Sequence, residues 1–296
     1  MIQIKENFPL NTVCTFAIGG PADYFILAKT EAEIIEAVKF SYSKGLKPFI
    51  FGGGSNLLFP DEGVRTVVIK ILNKEILANL ESKILSLAAG VSWVELARFV
   101  TKHDPQLFGL ESFYGLPGTI GGSVSGNAGC HGLEIKDVLK TVKVYDPKLD
   151  KIINIDAADL DMFYRYTNFK ENPNRVILAA DFKVSLDSKD ASGDPNEFAT
   201  HRNLSQPKGL TTGSFFKNPK GDYAGRLIES INLKGKKVGG ISISEKHANF
   251  FINDGSATAR DVIELKDIIQ SEVFEKTGVN LEPEIQFVKS QDWQLI

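Results

Sequence analysis

A hydroxyl, a guanidinium and a carboxyl stand out in the 296-residue chain because of the short segments that carry them. Ser214 belongs to GSFFKNP (213–219), in which small residues precede paired aromatics and Lys217 and Asn218 follow. Nothing around it resembles a nucleophile elbow, and an unassisted serine hydroxyl attacks poorly, so covalent serine chemistry is disfavoured. A hydroxyl fixed by its neighbours can instead deliver a proton to developing negative charge, or it can be a turn hydroxyl bonded to backbone. Arg165, in DLDMFYRYTNFK (159–170), offers five fixed donors that suit either a bidentate grip on a carboxylate or a surface ion pair. In LEPEI (281–285), strand alternation would send Leu281, Pro283 and Ile285 one way and Glu284 the other, toward solvent or a cleft. His247, in EKHAN, reads first as a structural hydrogen-bonding residue and second as a ligand contact.

Two glycine clusters accompany these side chains. The denser one runs from Leu110 to Gly132 and includes GLPGTIGGSVSGNAG (115–129); the other is FGGGSN (51–56). Few residues of the first suit a helix or a sheet interior. Such glycine density brings backbone close to something else, and converging main-chain N–H groups bind phosphate oxygens well. Thr119, Ser123, Ser125 and Asn127 add side-chain donors, while Asn56 is placed to orient the second loop or a ligand. The alternative is a long surface loop. FGGGSN does not follow the GxGxxG spacing and no helical pattern succeeds it, so a dinucleotide fold of Rossmann type fits poorly.

The elements that must position these groups are legible in order. Ala22–Ala28 reads as a strand, followed by a helix opened by a reciprocal Thr30/Glu33 cap, with Ile34, Ile35, Val38 and Tyr42 on its apolar face and Gly45 at its end. Pro48–Phe51, Val64–Lys70 and Lys83–Ala89 read as strands. Ser92 and Glu95 cap a helix marked by Trp93, Leu96, Ala97 and Val100. Val138–Tyr145 and Lys151–Ile155 form a hairpin turning at Asp146-Pro147, and Val176–Leu186 alternates faces. Ser185–Asn196 reads as a linker or loop. Short helices are expected at Phe198–Gln206 and Ala224–Ile231, strands at Lys237–Ser242 and Ala248–Ile252, and a longer helix from Ala259 to about Lys276, capped by Thr258 and stopped by Gly278. Leu281–Val288 returns as a terminal strand.

Composition bounds the rest. A hydrophobic fraction of 43% supports real cores, and a net charge of −3 gives no basic face for nucleic acid. Cys14 and Cys130 make no disulfide framework and lack metal-ligand spacing, and with only four histidines no metal site is expected. The first residues lack a signal-peptide core and no run is long enough to span a bilayer, so a cytoplasmic chain without membrane insertion is expected.

Taken together and in order, NTVCTFAIGGPA (11–22), FGGGSNLL (51–58), GLPGTIGGSVSGNAG (115–129), YRYTNF (164–169), GSFFKNP (213–219), EKHANFFIN (245–253) and LEPEI (281–285) resemble the UDP-N-acetylenolpyruvoylglucosamine reductase family, from about Asn11 to Phe287. The resemblance implies an α+β fold: the FAD-binding fold of the vanillyl-alcohol-oxidase-like (PCMH-type) group with a C-terminal substrate domain. It implies an FAD-binding subdomain at 1–70 joined by the C-terminal strand at 279–296, a second at 71–200 and a substrate-binding domain at 201–278. It also implies bound FAD, NADPH as hydride donor, UDP-GlcNAc-enolpyruvate as substrate, a monomer, and a place in peptidoglycan precursor synthesis. Carried over by position, Arg165 lies near the substrate carboxylate with Glu284 as its partner acid, and Ser214 gives the proton to the enolpyruvyl C2. Gly52, Gly53, Gly54, Ser55, Asn56, Gly118, Thr119, Gly121, Gly122 and Gly129 would hold FAD. Lys217, Asn218 and His247 would contact substrate.

In the reaction the resemblance implies, negative charge grows beside a carboxylate as hydride arrives, so fixed positive charge and hydrogen bonds aimed there lower the barrier. Glu284 either holds Arg165 or shares a proton with the developing enol. Three features depart from the family pattern: Ala17 replaces a longer polar or basic side chain, Cys130-His131 stands where an alanine-tyrosine pair is expected, and no tyrosine-bearing insertion follows Arg165. With no long tail after LEPEI either, the chain is similar to the shorter, loop-lacking subgroup. Competing readings are a related FAD oxidoreductase acting on another carboxylated substrate, and a non-catalytic nucleotide-binding module, which glycine loops allow but the other motifs do not explain.

Overall fold

A computed structural model describes residues 2–171 and 174–292; residues 1, 172–173 and 293–296 of the expected domain spans lie outside the described residues. The chain opens with a four-stranded sheet ordered Ile4–Pro9, Pro21–Ala28, Val64–Ile71 and Phe49–Phe51, in which only the Ile4–Pro9 pairing is antiparallel. The Glu31–Ser43 helix makes the crossover between the parallel strands. Thr30 accepts from the Glu33 N–H as expected, but the reciprocal bond is displaced by one residue, since Glu33 accepts from the Lys29 N–H at 2.7 Å.

A five-stranded antiparallel sheet follows, ordered Lys151–Asp156, Leu139–Asp146, Val176–Lys183, Ile84–Ala88 and Ile76–Asn79. The Trp93–His103 helix begins with a complete Ser92/Glu95 capping box, which satisfies amide protons that the first turn leaves without partners. Its Trp93 is fully buried and stacks on Phe113 at 4.7 Å. One apolar core joins the two sheets, with Ile34, Val67 and Ile69 of the first packed among Leu87, Trp93, Val142 and Phe182 of the second.

Within the glycine-rich stretch, where a loop is the expectation, Ile120–Gly126 is a helix. Long-range bonds override the poor intrinsic propensity: the Ile120 N–H reaches Val91 O at 2.8 Å and the Gly121 N–H reaches Ala89 O at 2.9 Å.

The third region is a three-stranded sheet, Lys237–Val238, Ile241–Ile243 and Phe251–Asn253, backed by the Ala259–Thr277 helix. The strand expected over Lys237–Ser242 is in fact a tight hairpin, because Gly239 adopts φ 51 and reverses the chain. Val262, Leu265, Ile269 and Val273 form the buried stripe of the helix, Thr258 and Asp261 cap it reciprocally, and Gly278 ends it at φ 73. Phe215 stacks on Phe251 at 3.9 Å in this core, which also takes Phe16, Ile18 and Leu58 from the first region. Truncating such a ring to alanine costs about 3–5 kcal/mol. Of the expected Leu281–Val288 strand only Gln286–Phe287 qualifies, paired in parallel with Leu57–Leu58; the residues before it make single bonds to other segments.

Candidate active site

The Phe49–Phe51 strand delivers FGGGSN directly against the loop that opens the Ile120–Gly126 helix. A Cβ at Gly52 would collide with the Thr119 hydroxyl, one at Gly53 would stand 3.0 Å from Gly118 Cα, and one at Gly118 would stand 2.9 Å from Ser55 Oγ. Two backbones therefore face each other at a separation that side chains would forbid. Thr119 Oγ1 is buried between them and has no hydrogen-bond partner among the described residues, so it suits an acceptor such as a phosphate or ribityl oxygen of a bound cofactor. These features fit a flavin dinucleotide, whose pyrophosphate needs close backbone approach and hydrogen-bond donors.

Other expected cofactor residues divide in their roles. Gly54, at φ 69, packs on Val13 and Cys14, Gly122 lies near Thr119, and Gly121 packs on Ala89. Asn56 is turned away from the cradle: its Nδ2 donates to Glu284 O at 3.1 Å and its carbonyl accepts from the Gln286 N–H at 2.9 Å, so it fixes the LEPEI segment. Gly129 lies under Arg165, where an added Cβ would be 3.3 Å from a guanidinium nitrogen. Ser123 and Asn127, expected as ligand donors, point inward instead. Ser123 Oγ accepts from Trp93 Nε1 at 2.8 Å, and the fully buried Asn127 donates to Phe163 O at 2.8 Å and Glu134 Oε2 at 3.1 Å.

Arg165 sits at the turn of a small hairpin, Met162–Phe163 with Tyr166–Thr167, at φ 59, a left-handed conformation unusual for a residue other than glycine and sustained by its surroundings. Asn127 holds one arm, and Thr167 Oγ1 donates to Ser125 O at 2.8 Å on the other. Lys170 Nζ donates to the Arg165 carbonyl at 2.6 Å, and the Tyr164 ring underlies the guanidinium at 5.0 Å. So constrained, Arg165 Nε stands 2.5 Å from Glu284 Oε1. The two groups touch, although the buried Nε–H is not aligned on the carboxyl oxygen.

Burial pushes the Glu284 carboxyl above the ordinary glutamate range, against the opposing pull of Arg165, Lys170 and Lys217. Burial likewise lowers the Lys170 pKa, helped by the nearby Lys217 and Arg165 charges and opposed by Glu284. The site thus gathers three cations around a carboxyl that ionises reluctantly.

Ser214 follows Gly213, at φ 79, and pairs with Phe250 across an isolated bridge. The next residue, Phe215, donates to Asn249 O at 2.7 Å and accepts from the Glu284 N–H at 2.8 Å. GSFFK is thus an extended run between the 249–250 and 282–284 segments, and the main-chain pairing sets Ser214 one residue from the partner of Glu284. Asn249, buried and missed at the sequence level, clamps this run by accepting from the Phe216 N–H at 2.9 Å and donating to Phe216 O at 2.8 Å. A polar residue inside the apolar run HANFF was the available signal.

The expected substrate contacts are partly engaged elsewhere. Lys217 Nζ lies 2.5 Å from Glu282 Oε1. Asn218 Oδ1 accepts from the Ala224 N–H at 3.1 Å at the start of a short helix, and its N–H reaches the Tyr164 hydroxyl at 3.3 Å. His247 Nδ1 accepts from the Asn249 N–H at 3.2 Å, and burial lowers its pKa. Among the described residues no cluster of His, Cys, Asp or Glu could hold a metal ion, and no helix is long and apolar enough to cross a membrane.

Comparison with known proteins places this arrangement. Residues 22–155 match an FAD binding domain family, and residues 206–288 match the C-terminal domain family of UDP-N-acetylenolpyruvoylglucosamine reductase. The reductase of that name from Syntrophomonas wolfei is 36% identical over 287 residues, covering 97% of this chain and 95% of its own length. The one from Listeria monocytogenes is 34% identical over 289 residues, covering 97% and 95%. The crystal structure of UDP-N-acetylenolpyruvylglucosamine reductase from Thermus caldophilus superposes with a TM-score of 0.80 at 30% identity, over 97% of this chain and 98% of that one.

Proposed function

The chain belongs to the UDP-N-acetylenolpyruvoylglucosamine reductase family, and from that premise we propose that Arg165, Glu284 and Ser214 carry its chemistry. The enzyme reduces UDP-GlcNAc-enolpyruvate to UDP-N-acetylmuramate, in peptidoglycan precursor synthesis, with FAD in the PCMH-type fold. When bound, FAD would supply the hydride, and Gly52 to Ser55, Gly118, Thr119 and Gly122 would hold it. NADPH is the donor that renews it.

The observation that carries the residue assignment is the Arg165–Glu284 pair hydrogen-bonded through backbone to the segment of Ser214. Arg165 turns fixed positive charge toward the substrate carboxylate, where negative charge accumulates as the alkene is reduced. Its left-handed backbone and the Tyr164 ring hold that charge in place before substrate arrives, which removes reorganisation from the barrier. Ser214 gives a proton to the carbon beside the carboxylate. A serine hydroxyl is a weak acid, so this transfer works only toward a strongly basic carbanionic centre from a fixed position. Glu284 restrains Arg165 beside the same carboxylate oxygens and, where burial keeps it neutral, shares a proton with them. Lys217, Asn218 and His247 border the sugar nucleotide.

We divide the chain accordingly at 1–70 with 279–296, 71–200 and 201–278, a division supported by the three larger sheets, of four, five and three strands. A cytoplasmic monomer is the working form. The test is a purified yellow protein mixed with NADPH with and without UDP-GlcNAc-enolpyruvate. Substrate-dependent NADPH oxidation is expected, faster than with NADH; none in folded, flavin-loaded protein rejects the proposal.

A further inference from the structure

We propose that Lys70 is the cation that receives the pyrophosphate charge of the cofactor at the FGGGSN loop. This rests on the reading that the facing glycine loops hold FAD. The cradle itself is nearly neutral: the glycine amides, Ser55 and Thr119 offer donors but no charge. A pyrophosphate is doubly anionic at neutral pH, and leaving it without a countercharge in a confined site is costly.

Lys70 lies in the Val64–Ile71 strand directly opposite Phe51, the residue before the first loop glycine, in parallel register. Its Nζ stands 5.5 Å from the centre of the Phe51 ring and donates to Val13 O at 2.8 Å. That carbonyl and Cys14 form the wall against Gly54, where an added Cβ would be 3.0 Å from each, and the Thr15 N–H closes the same wall by donating to Gly54 O at 3.1 Å. The ammonium is therefore anchored to the backbone that packs against the loop. Among the described residues it makes no ion pair with a carboxylate, although its side chain is only partly exposed. Burial lowers its pKa, aided by Lys74 and opposed by Cys14. By contrast Lys74, four residues on, already pairs with Glu95 at 2.7 Å.

A purely structural lysine would pin the 13–15 segment and affect every ligand of the cradle alike. A charge partner affects only ligands that bear the pyrophosphate. The full-length protein, stripped of flavin, is titrated with FAD and with riboflavin, which has no phosphate, at rising salt. In the wild type FAD affinity should fall with salt while riboflavin affinity stays flat. K70M should weaken FAD about tenfold to a hundredfold, the worth of one charge-assisted hydrogen bond. It should flatten the salt dependence and leave riboflavin affinity unchanged, and K70R should restore most of the loss. Equal losses for both flavins, no loss for either, or a wild-type FAD affinity indifferent to salt would each overturn the proposal. A wild type that takes up neither flavin would strike the flavin reading of the cradle itself and Lys70 with it.

Discussion

The cradle and the reacting site are built on opposite principles. At the cradle the chain uses backbone, with Gly52 against Thr119 and Gly53 against Gly118 brought so close that a side chain on either glycine is excluded. At the reacting site it uses side chains, with Arg165, Glu284 and the segment of Ser214 drawn from three distant stretches and fixed by Asn127, Asn56 and Asn249. The first region fails when atoms are added and the second when they are removed. A long anionic cofactor needs shape and many weak donors, whereas a transition state needs a few strong groups in fixed positions.

The largest expected effect lies in the reacting site. Replacing Ser214 by alanine should lower the rate of substrate reduction by about a thousandfold, as loss of a positioned proton donor does. Flavin content, melting temperature and the rate of flavin reduction by NADPH should stay near wild type. Stopped-flow measurement of the two half-reactions separately makes the check, and equal losses in both would dissolve the distinction between the two regions.

A smaller and opposite effect tests the cradle. Alanine at Gly52 would drive its Cβ into Thr119, so Gly52→Ala should destabilise the flavin-free protein by about 1–3 kcal/mol, the usual range for overpacking. Thr119→Ala removes the colliding oxygen, and the double variant should recover part of the loss in denaturant unfolding, a non-additivity expected only for groups in contact. Strictly additive losses would mean that the two loops do not share one tight wall.

Local signals made much of the fold legible and failed where distant partners decide. The Ser92/Glu95 and Thr258/Asp261 caps, the buried stripe of the Ala259–Thr277 helix and its glycine stop can be read because each depends on residues within one or two turns. The Ile120–Gly126 helix could not, since it is held by Val91 and Ala89 across the sheet. Asn127 reads as a ligand donor from its neighbours, yet its partner is a carbonyl 36 residues away. Gly239-Gly240 did carry a turn signal, which the apolar pattern around it masked. At the site, the glycine loops announced close backbone contact by composition alone. The association of Arg165 with Glu284 came from family resemblance, because no periodicity links residues in separate segments. Lys170, which braces the Arg165 carbonyl, gave no signal at all.

The smallest effect bears on which force governs the reacting site. Two influences compete at Glu284: burial, which favours the neutral acid, and the Arg165 charge, which favours the carboxylate; burial is the stronger. A group whose folded pKa lies above its unfolded value adds stability at pH below the unfolded value, and that stability is lost as pH rises through the folded one. The stability difference between wild type and Glu284→Gln should therefore be most favourable to wild type below about pH 4.5, shrink as pH climbs, and level off once the folded carboxyl has ionised. Glutamine keeps the shape and cannot ionise, so melting temperatures of the pair across pH isolate this one group. A difference that instead grows with pH would mean that Arg165 wins and that Glu284 is a fixed countercharge. The cluster would then act by electrostatic clamping alone, and Ser214 would remain its only proton source.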